Sequence, residues 1–264
     1  MYLQHFGLTH APLGKDIIEL WDDGGLAQLA ERFNWLPQSP GLGLLTGEPG
    51  VGKTAALRKL TKAINPHCYQ VIYLAETDFG RVDLYRTLAA SMGLKPSYRR
   101  AQLWRDIKQH IHDLVDGKQL LPVWILDEAQ NLPDEFFRDF PSFLNFAFDS
   151  RDLLSVWLVG HPQLAHLIER PAYAALNGRI QARVQLKPML ERDRFAKLID
   201  HGLKSAGCKH TLITDSGLEL LRQASRGTPR QAGNILRHAM RLAVPRALNH
   251  LPDELLQQAI EELR

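Results

Sequence analysis

A glycine-rich turn carries the clearest chemical signal in this sequence. It fits the pattern G-x-x-x-x-G-K-[ST] at every position and consists of Gly47, Glu48, Pro49, Gly50, Val51, Gly52, Lys53 and Thr54. Glycines let the backbone wrap closely around an anion and aim its N–H groups at phosphate oxygens. The spacing therefore predicts that Lys53 contacts the β- and γ-phosphates of a nucleotide and that the Thr54 hydroxyl binds Mg²⁺.

Two adjacent carboxylates form the second candidate feature. Asp127 and Glu128 follow the apolar run 123–126, which is typical of a strand buried on both faces of a parallel sheet. An Asp at the carboxyl end of such a strand can bind Mg²⁺ through water, and an adjacent Glu can deprotonate an attacking water molecule. Taken alone, the pair would indicate only a solvated acidic turn. Together with the upstream phosphate loop, it predicts hydrolysis of ATP rather than binding alone.

The elements that must position these residues follow from hydrophobic periodicity. Short apolar runs predict strands at 42–46, 71–74, 123–126, 153–159 and 182–186, and helical spacing appears between several of them. This alternation is typical of an α/β fold with a parallel sheet flanked by helices. After Pro188 the pattern is helical only, with Thr214 as an expected N-cap. We therefore predict a nucleotide-binding α/β domain at 1–190, beginning with an irregular segment at 1–20, and a small all-helical domain at 191–264.

Composition limits the class of protein. Of the 264 residues, 45% are apolar and 23% are charged, which excludes disorder as a description of the whole chain. Cys68 and Cys208 are the only cysteines, so a disulfide scaffold is excluded. The apolar runs are far shorter than the about 20 residues that a membrane helix needs, and the first residues lack a signal-peptide pattern. We expect a cytoplasmic protein with no membrane segment.

Several further motifs resemble those of a known family. The phosphate loop and the acidic pair together resemble AAA+ ATPases. The stretches MYLQHFGL at 1–8, DEAQNL at 127–132, VGHPQL at 159–164, RIQAR at 179–183 and SRGTPR at 225–230 sharpen the resemblance. In this order they are similar to the ExeA-like branch, which includes the TnsC and TniB transposition ATPases. The resemblance implies a P-loop AAA+ core followed by a helical lid.

The resemblance also implies roles for four residues outside the two motifs. His161 would sense the γ-phosphate, although relatives usually carry Gln at this position. Arg179 or Arg183 would be an arginine finger that acts on ATP bound by a neighbouring subunit, and Arg230 would be a second sensor in the lid. Each residue could also be a surface side chain with no ligand. A finger that acts in trans requires a homo-oligomer, either a ring or a helical filament.

Local basic clusters suggest a polyanionic partner, although the net charge of +3 is too small to indicate one. One cluster surrounds Tyr98 and Trp104 and consists of Lys95, Arg99, Arg100, Arg105 and Lys108. Basic residues interleaved with aromatic ones suit binding to a nucleic-acid backbone. Between residues 197 and 246 there are also 9 basic and 3 acidic residues, with Arg237, Arg241 and Arg246 recurring along a predicted helix and its continuation. A solvated helix face explains either cluster alone equally well.

Two biological roles are compatible with this resemblance. In the first, the protein assembles on double-stranded DNA with ATP and recruits or activates a transposase. In the second, it is the cytoplasmic ATPase of an ExeA-type secretion protein. The second is less favoured because this sequence shows no membrane span or wall-binding region. A DNA-linked loader or an ATP-dependent switch with little turnover is a third interpretation.

Overall fold

A computed structural model describes residues 2–15, 20–22, 24–77 and 80–263 of the chain. The strands are β1 (Leu42–Gly47), β2 (Tyr69–Leu74), β3 (Leu121–Leu126), β4 (Ser155–Gly160) and β5 (Ile180–Leu186). The helices are α1 (Tyr2–His5), α2 (Gly25–Trp35), α3 (Lys53–Ala63), α4 (Arg81–Ser91), α5 (Arg100–His112), α6 (Asp134–Leu144), α7 (Pro162–Ile168), α8 (Ala174–Asn177), α9 (Arg192–Ser205), α10 (Asp215–Ser225), α11 (Pro229–Ala243) and α12 (Asp253–Glu262). All five predicted strands are present, and no bound differs from the prediction by more than two residues.

The five strands form one sheet in the order β2-β3-β4-β1-β5. The pairs β2–β3, β3–β4 and β4–β1 are parallel. In register, Thr46 of β1 is opposite Gly160 of β4, and Leu126 of β3 is opposite Leu158. The carboxyl ends of β1, β3 and β4 therefore lie at the same edge of the sheet, which is where an open α/β sheet places its ligand. This arrangement confirms the predicted parallel sheet flanked by helices.

The chain divides into two compact units. The first, which we call the helical unit, comprises the described residues of Met1–Gly24, Glu48–Ala56 and Leu186–Arg264. The second, the sheet unit, comprises the described residues of Gly25–Gly47 and Leu57–Gln185. The boundary near residue 190 that the sequence predicts stays a prediction about domains. Some positions of the predicted segments lie outside the described residues, namely Met1, residues 16–19, Asp23 and Arg264.

The core of the sheet unit is unusually aromatic around α6. Phe136, Phe137, Phe140 and Phe143 are fully buried there, and the Phe143 ring stacks on Trp124 of β3 with centroids 5.6 Å apart. Burying each of these side chains contributes about 1.5–3 kcal/mol. The sum over the four exceeds the roughly 3 kcal/mol that a proline inside a helix costs. This balance explains why α6 forms despite Pro141, and why local sequence signals did not predict it.

The helical unit has a core of its own. Its buried side chains come mainly from α9 to α12, and Phe6, Leu8 and Leu13 of the amino-terminal segment belong to the same cluster. That segment is not wholly irregular, because it begins with the single-turn helix α1. The predicted cap of α10 is confirmed, since Thr214 Oγ1 accepts a hydrogen bond from the N–H of Gly217 at 2.9 Å. Within the described ranges, every helix is too short or too polar to cross a bilayer.

Candidate nucleotide site

The phosphate loop connects the last residue of β1 to the first turn of α3. Gly50 and Gly52 have φ angles of 86° and 105°, in a region that strains residues with a Cβ. A Cβ at Gly52 would meet no atom within 4 Å, so this side of the loop is open. Lys53 is 6% exposed, and its Nζ donates a hydrogen bond to the carbonyl oxygen of Glu48 at 3.2 Å. A buried cation beside an open, glycine-lined loop fits a bound phosphate chain.

Arg230 lies directly against this loop. Its backbone N–H donates to the carbonyl oxygen of Gly50 at 3.2 Å, and its Cβ occupies the space that a Cβ on Gly50 would need. The turn before α11 is itself held by Met189, whose N–H donates to the carbonyl oxygen of Gly227 at 2.9 Å. The Arg230 side chain is exposed, and no acidic side chain among the described residues pairs with it. The lid arginine predicted as a sensor is therefore anchored by its backbone and has a guanidinium available for an anion.

The acidic pair lies at the end of β3 in contrasting environments. Asp127 is 2% exposed and accepts hydrogen bonds from the Tyr73 hydroxyl at 2.8 Å and from the Glu128 N–H at 2.9 Å. Glu128 has a left-handed backbone (φ 53°, ψ 35°), a conformation that costs on the order of 1–3 kcal/mol for a non-glycine residue. The Thr77 hydroxyl donates to its carbonyl oxygen at 2.9 Å. The strained turn aims Glu128 outward, with 42% of its side chain exposed.

A side-chain network joins Glu128 to the end of β4. Gln130 Nε2 donates to Glu128 Oε2 at 2.7 Å, and Gln130 Oε1 accepts from the backbone N–H of His161 at 3.1 Å. The His161 ring also approaches the same carboxylate oxygen, with Nε2 at 3.5 Å. The structure thus brings together Glu128 and His161, which separate sequence motifs indicate as candidate site residues. Gln130, to which no sequence motif assigns a role, connects them.

The two candidate finger arginines lie at opposite ends of a short stretch around the start of β5. Arg179 precedes β5, and its guanidinium donates to both carboxylate oxygens of Asp149 at 2.9 Å. Arg183 is exposed within β5 and donates to the Asn177 side chain. Arg179 is therefore held in a charged pair, whereas Arg183 contacts a neutral amide. The identity of the finger stays a prediction.

Four of the five basic residues around Tyr98 and Trp104 fall into two groups. Arg100 donates to Asp139 at 2.6 Å and lies over the Trp104 ring, while Lys108 donates to the carbonyl oxygen of Asn145 at 2.7 Å. Burial lowers the pKa of Lys108. Arg99 and Arg105, by contrast, are exposed, as is Tyr98 at 89%. The first group is engaged in internal contacts, and the second presents its charge to solvent.

The basic residues of the lid that the sequence singled out make contacts within their own unit. Arg237 donates to the carbonyl oxygen of Pro12 at 3.0 Å, and burial lowers its pKa. The Arg241 guanidinium lies over the Tyr2 ring at 5.6 Å. Arg246 donates to the Gln258 side chain at 2.9 Å. These contacts favour a structural role for this cluster, in which α11 holds the amino-terminal segment and the turn after α11 holds α12.

The residues available for Mg²⁺ are few. In the parts of the chain that the structure describes, no three His, Cys, Asp or Glu side chains are grouped to hold a metal ion. Mg²⁺ in nucleotide sites is usually held by one or two protein oxygens together with substrate phosphates and water. The Thr54 hydroxyl of the helical unit and the Asp127 carboxylate of the sheet unit each have the oxygen chemistry that Mg²⁺ prefers, and their joint role as ligands stays a prediction.

Comparison with solved structures shows what fold this is. Cdc6p from Pyrobaculum aerophilum superposes with a TM-score of 0.70 at 18% identity, covering 98% of this chain and 70% of that one. The ADPNP–ADP complexes of ORC2 from Aeropyrum pernix give 0.72 at 16% identity, covering 96% and 71%. ORC1 from Aeropyrum pernix in complex with DNA gives 0.68 at 16% identity, covering 98% and 69%. At these identities the similarity establishes the P-loop AAA+ fold and no more.

The remaining comparisons are with curated proteins and with models of protein families. No curated protein matches the chain significantly. The AAA domain model matches residues 37–168, which is half of the sequence and includes the phosphate loop, the acidic pair, Gln130 and His161. The match therefore spans the two sequence motifs and the strands β1 to β4, whereas Arg179, Arg183 and Arg230 lie outside it. The chain belongs to the AAA domain family.

Proposed function

We propose that this protein binds and hydrolyses ATP with Mg²⁺ and couples hydrolysis to assembly on double-stranded DNA. The observation that carries the ATPase assignment is the placement of Glu128, which a strained turn aims outward beside the buried Asp127. Strained backbone conformations persist where the surrounding structure holds them in place, and they cluster at active sites.

Each proposed role follows from the chemistry of its side chain. Backbone N–H groups of the loop and the Lys53 ammonium bind the phosphates. Thr54 and Asp127 are the proposed ligands of Mg²⁺, which when bound neutralises charge on the transferring phosphoryl group. Glu128 accepts a proton from the attacking water. His161 and Arg230 are proposed to sense the γ-phosphate, and Arg179 or Arg183 to complete the site of a neighbouring subunit.

Assembly on DNA is supported by the exposed residues around Tyr98. Arg99 is the N-cap of α5, whose first turn contains no acidic residue, so the positive end of the helix dipole adds to the arginine charge. The AAA+ fold is shared with the Aeropyrum ORC1 that was solved with DNA. Few phosphate contacts per subunit suffice in an oligomer, because linked weak contacts add up. We therefore propose a ring or a helical filament as the DNA-bound form.

The finer role that we propose is regulation of transposition through recruitment or activation of a transposase. It is supported by the order of sequence motifs, which is similar to that of the TnsC and TniB group. A secretion-associated ATPase is the alternative, and it predicts no response to DNA. A cytoplasmic location stays a prediction from the sequence.

The central experiment measures ATP binding and turnover with and without duplex DNA. Lys53→Ala is expected to abolish ATP binding, and Glu128→Gln to bind ATP with turnover reduced by about 10²-fold or more. Lys59→Ala on the exposed part of α3 and Glu135→Gln in the first turn of α6 are matched controls that remove the same charges elsewhere. Unchanged ATP affinity in Lys53→Ala would overturn the phosphate site. DNA that altered neither turnover nor oligomeric state would exclude the transposition role.

A further inference from the structure

The Gln130 side chain is bonded at both ends of its amide. The NH₂ group donates to Glu128 Oε2 at 2.7 Å, and the carbonyl oxygen accepts from the His161 N–H at 3.1 Å. Both hydrogen-bonding ends of the amide are therefore used, and each has a partner of the correct sign. One partner is the proposed base at the end of β3, and the other is the backbone directly after β4.

The local backbone holds Gln130 in place for this contact. Gln130 is the middle residue of a short 3-10 turn, Ala129–Asn131, in which Ala129 is fully buried. The turn is closed by a hydrogen bond from the Asn131 N–H to the carbonyl oxygen of Glu128 at 3.0 Å. The amide thus extends from a fixed turn toward β4.

Gly160 makes room for this amide. A Cβ built on Gly160 would lie 2.3 Å from Gln130 Oε1, well inside van der Waals contact. It would also lie 3.0 Å from a terminal carbon of Leu164, which a leucine side chain can relieve by a small rotation. Any side chain at position 160 must therefore displace the Gln130 amide. The absence of a Cβ at the end of β4 is a packing requirement of the network.

The network distinguishes the two oxygens of the Glu128 carboxylate. Oε2 accepts from Gln130 and lies 3.5 Å from the His161 ring nitrogen. Among the described residues, no side chain donates to Oε1. Occupying one oxygen fixes the carboxylate plane and leaves the other oxygen to accept a proton from water. A carboxylate without this restraint would rotate, and misplacement by about 1 Å can cost on the order of 10²-fold in rate.

We propose that Gln130 is a positioning residue that fixes the rotamer of Glu128 and couples it to the backbone of His161. The inference rests on the proposed function, since it gives Gln130 a role only if Glu128 is the base. Movement of His161 toward or away from a γ-phosphate shifts the N–H group that donates to the Gln130 carbonyl oxygen and thereby turns the Glu128 carboxylate. Hydrolysis is thus favoured only when the end of β4 is in place.

The first test replaces the amide without removing its bulk. Gln130→Met keeps a side chain of similar length, and Gln130→Ala removes it. Both are expected to lower kcat about 10-fold to 100-fold, while KM and ATP affinity change less than about twofold. A packing role alone would make Gln130→Met nearly neutral and Gln130→Ala lower the melting temperature. Wild-type kcat in a folded Gln130→Met protein would overturn the inference.

The second test displaces the amide from the other side. Gly160→Ala is expected to lower kcat in the same way, because its Cβ takes the place of Gln130 Oε1. In the double variant Gly160→Ala with Gln130→Ala there is no amide to displace, so its kcat should equal that of Gln130→Ala alone. Losses that multiply would show that the two residues act independently and would contradict the coupling.

Failure of this inference is distinguishable from failure of the proposed function. If Glu128→Gln loses turnover while Gln130→Met keeps it, Glu128 is the base and Gln130 does not position it. If Glu128→Gln keeps normal turnover, the catalytic assignment itself is wrong. Melting temperatures measured for all variants separate a loss of rate from a loss of folded protein.

Discussion

The backbone N–H of Arg230 donates a hydrogen bond to the carbonyl oxygen of Gly50, with 3.2 Å between nitrogen and oxygen. This bond attaches the first turn of α11 to the middle of the phosphate loop. A main-chain contact of this kind does not depend on the identity of the Arg230 side chain. The position of the lid helix and the shape of the loop are therefore linked even when the guanidinium is removed.

The first prediction concerns Gly50→Ala. The new Cβ would lie 2.8 Å from Arg230 Cβ at a φ of 86°, so both the loop and the start of α11 must shift. We expect ATP affinity to fall by about tenfold or more, as measured by titration calorimetry. Gly93→Ala is the matched control, because Gly93 has a φ of 80° and open space around it. Both variants should lose on the order of 1–2 kcal/mol of stability from backbone strain. Equal ATP affinity in the two proteins would contradict the link.

The second prediction separates the side chain of Arg230 from its backbone. Arg230→Ala keeps the N–H bond to Gly50 and removes only the exposed guanidinium. We expect the melting temperature to stay within a few degrees and ATP binding to weaken modestly. Turnover should fall by about 10-fold to 10³-fold, because the charge that stabilises the transferring phosphoryl group is removed. Arg194→Ala, which removes another exposed lid arginine, should keep normal turnover. Equal turnover in the two variants would exclude Arg230 as a sensor.

Local signals in the sequence predicted the strands and the two motifs well. The phosphate loop is one contiguous stretch of sequence, and Asp127 and Glu128 are adjacent residues. Each motif can therefore be identified from residue types and spacing alone. Apolar runs predicted the buried strands β3 and β4 because both faces of each are covered. Helix α6 was missed because its stability comes from four buried phenylalanines and its local pattern includes Pro141. That stabilisation depends on tertiary packing, which one sequence does not display.

The contacts between candidate residues could not be predicted in the same way. Tyr73 donates to Asp127 from 54 positions earlier in the chain, and no local pattern marks it. Gln130 was visible in the stretch DEAQNL, yet its role depends on Gly160 and His161, which β4 brings beside it. Arg100 and Arg99 are adjacent in sequence, but only the first is paired with Asp139. Whether a charge is available to a partner is decided by the fold.

The third prediction identifies the arginine finger. Arg179→Ala and Arg183→Ala should each leave ATP binding nearly intact, and one of them should lose turnover by about 10³-fold or more. The finger acts in trans, so mixing that variant with Lys53→Ala should restore part of the activity, since one supplies an intact site and the other an intact finger. Normal turnover in both variants would show that the finger lies elsewhere.

Asp149→Asn provides a control for the third prediction. It removes the charged partner of Arg179 and leaves Arg183 unchanged. If Arg179 is the finger, freeing its guanidinium should maintain or increase turnover in the assembled protein. A severe loss in Asp149→Asn would instead show that the pair stabilises the fold around β5, and a lowered melting temperature would accompany it.

The fourth prediction concerns binding of DNA through exposed charges around Tyr98. The double variant Arg99→Ala with Arg105→Ala should weaken binding to duplex DNA with little dependence on sequence. For each phosphate that the variant no longer neutralises, the slope of log K against log salt should become shallower by about 0.9. The measurement is fluorescence anisotropy of labelled duplex DNA across a salt series, with ATP analogue present.

Arg100→Ala and Lys108→Ala are controls for the fourth prediction. Each removes one positive charge, as each single arginine variant does, but their groups bind Asp139 and the carbonyl oxygen of Asn145 within the protein. These controls should therefore lower the melting temperature while leaving the salt slope unchanged. A slope that became equally shallow in these two controls and in the single variants Arg99→Ala and Arg105→Ala would indicate a diffuse charge effect and contradict a defined DNA-binding surface.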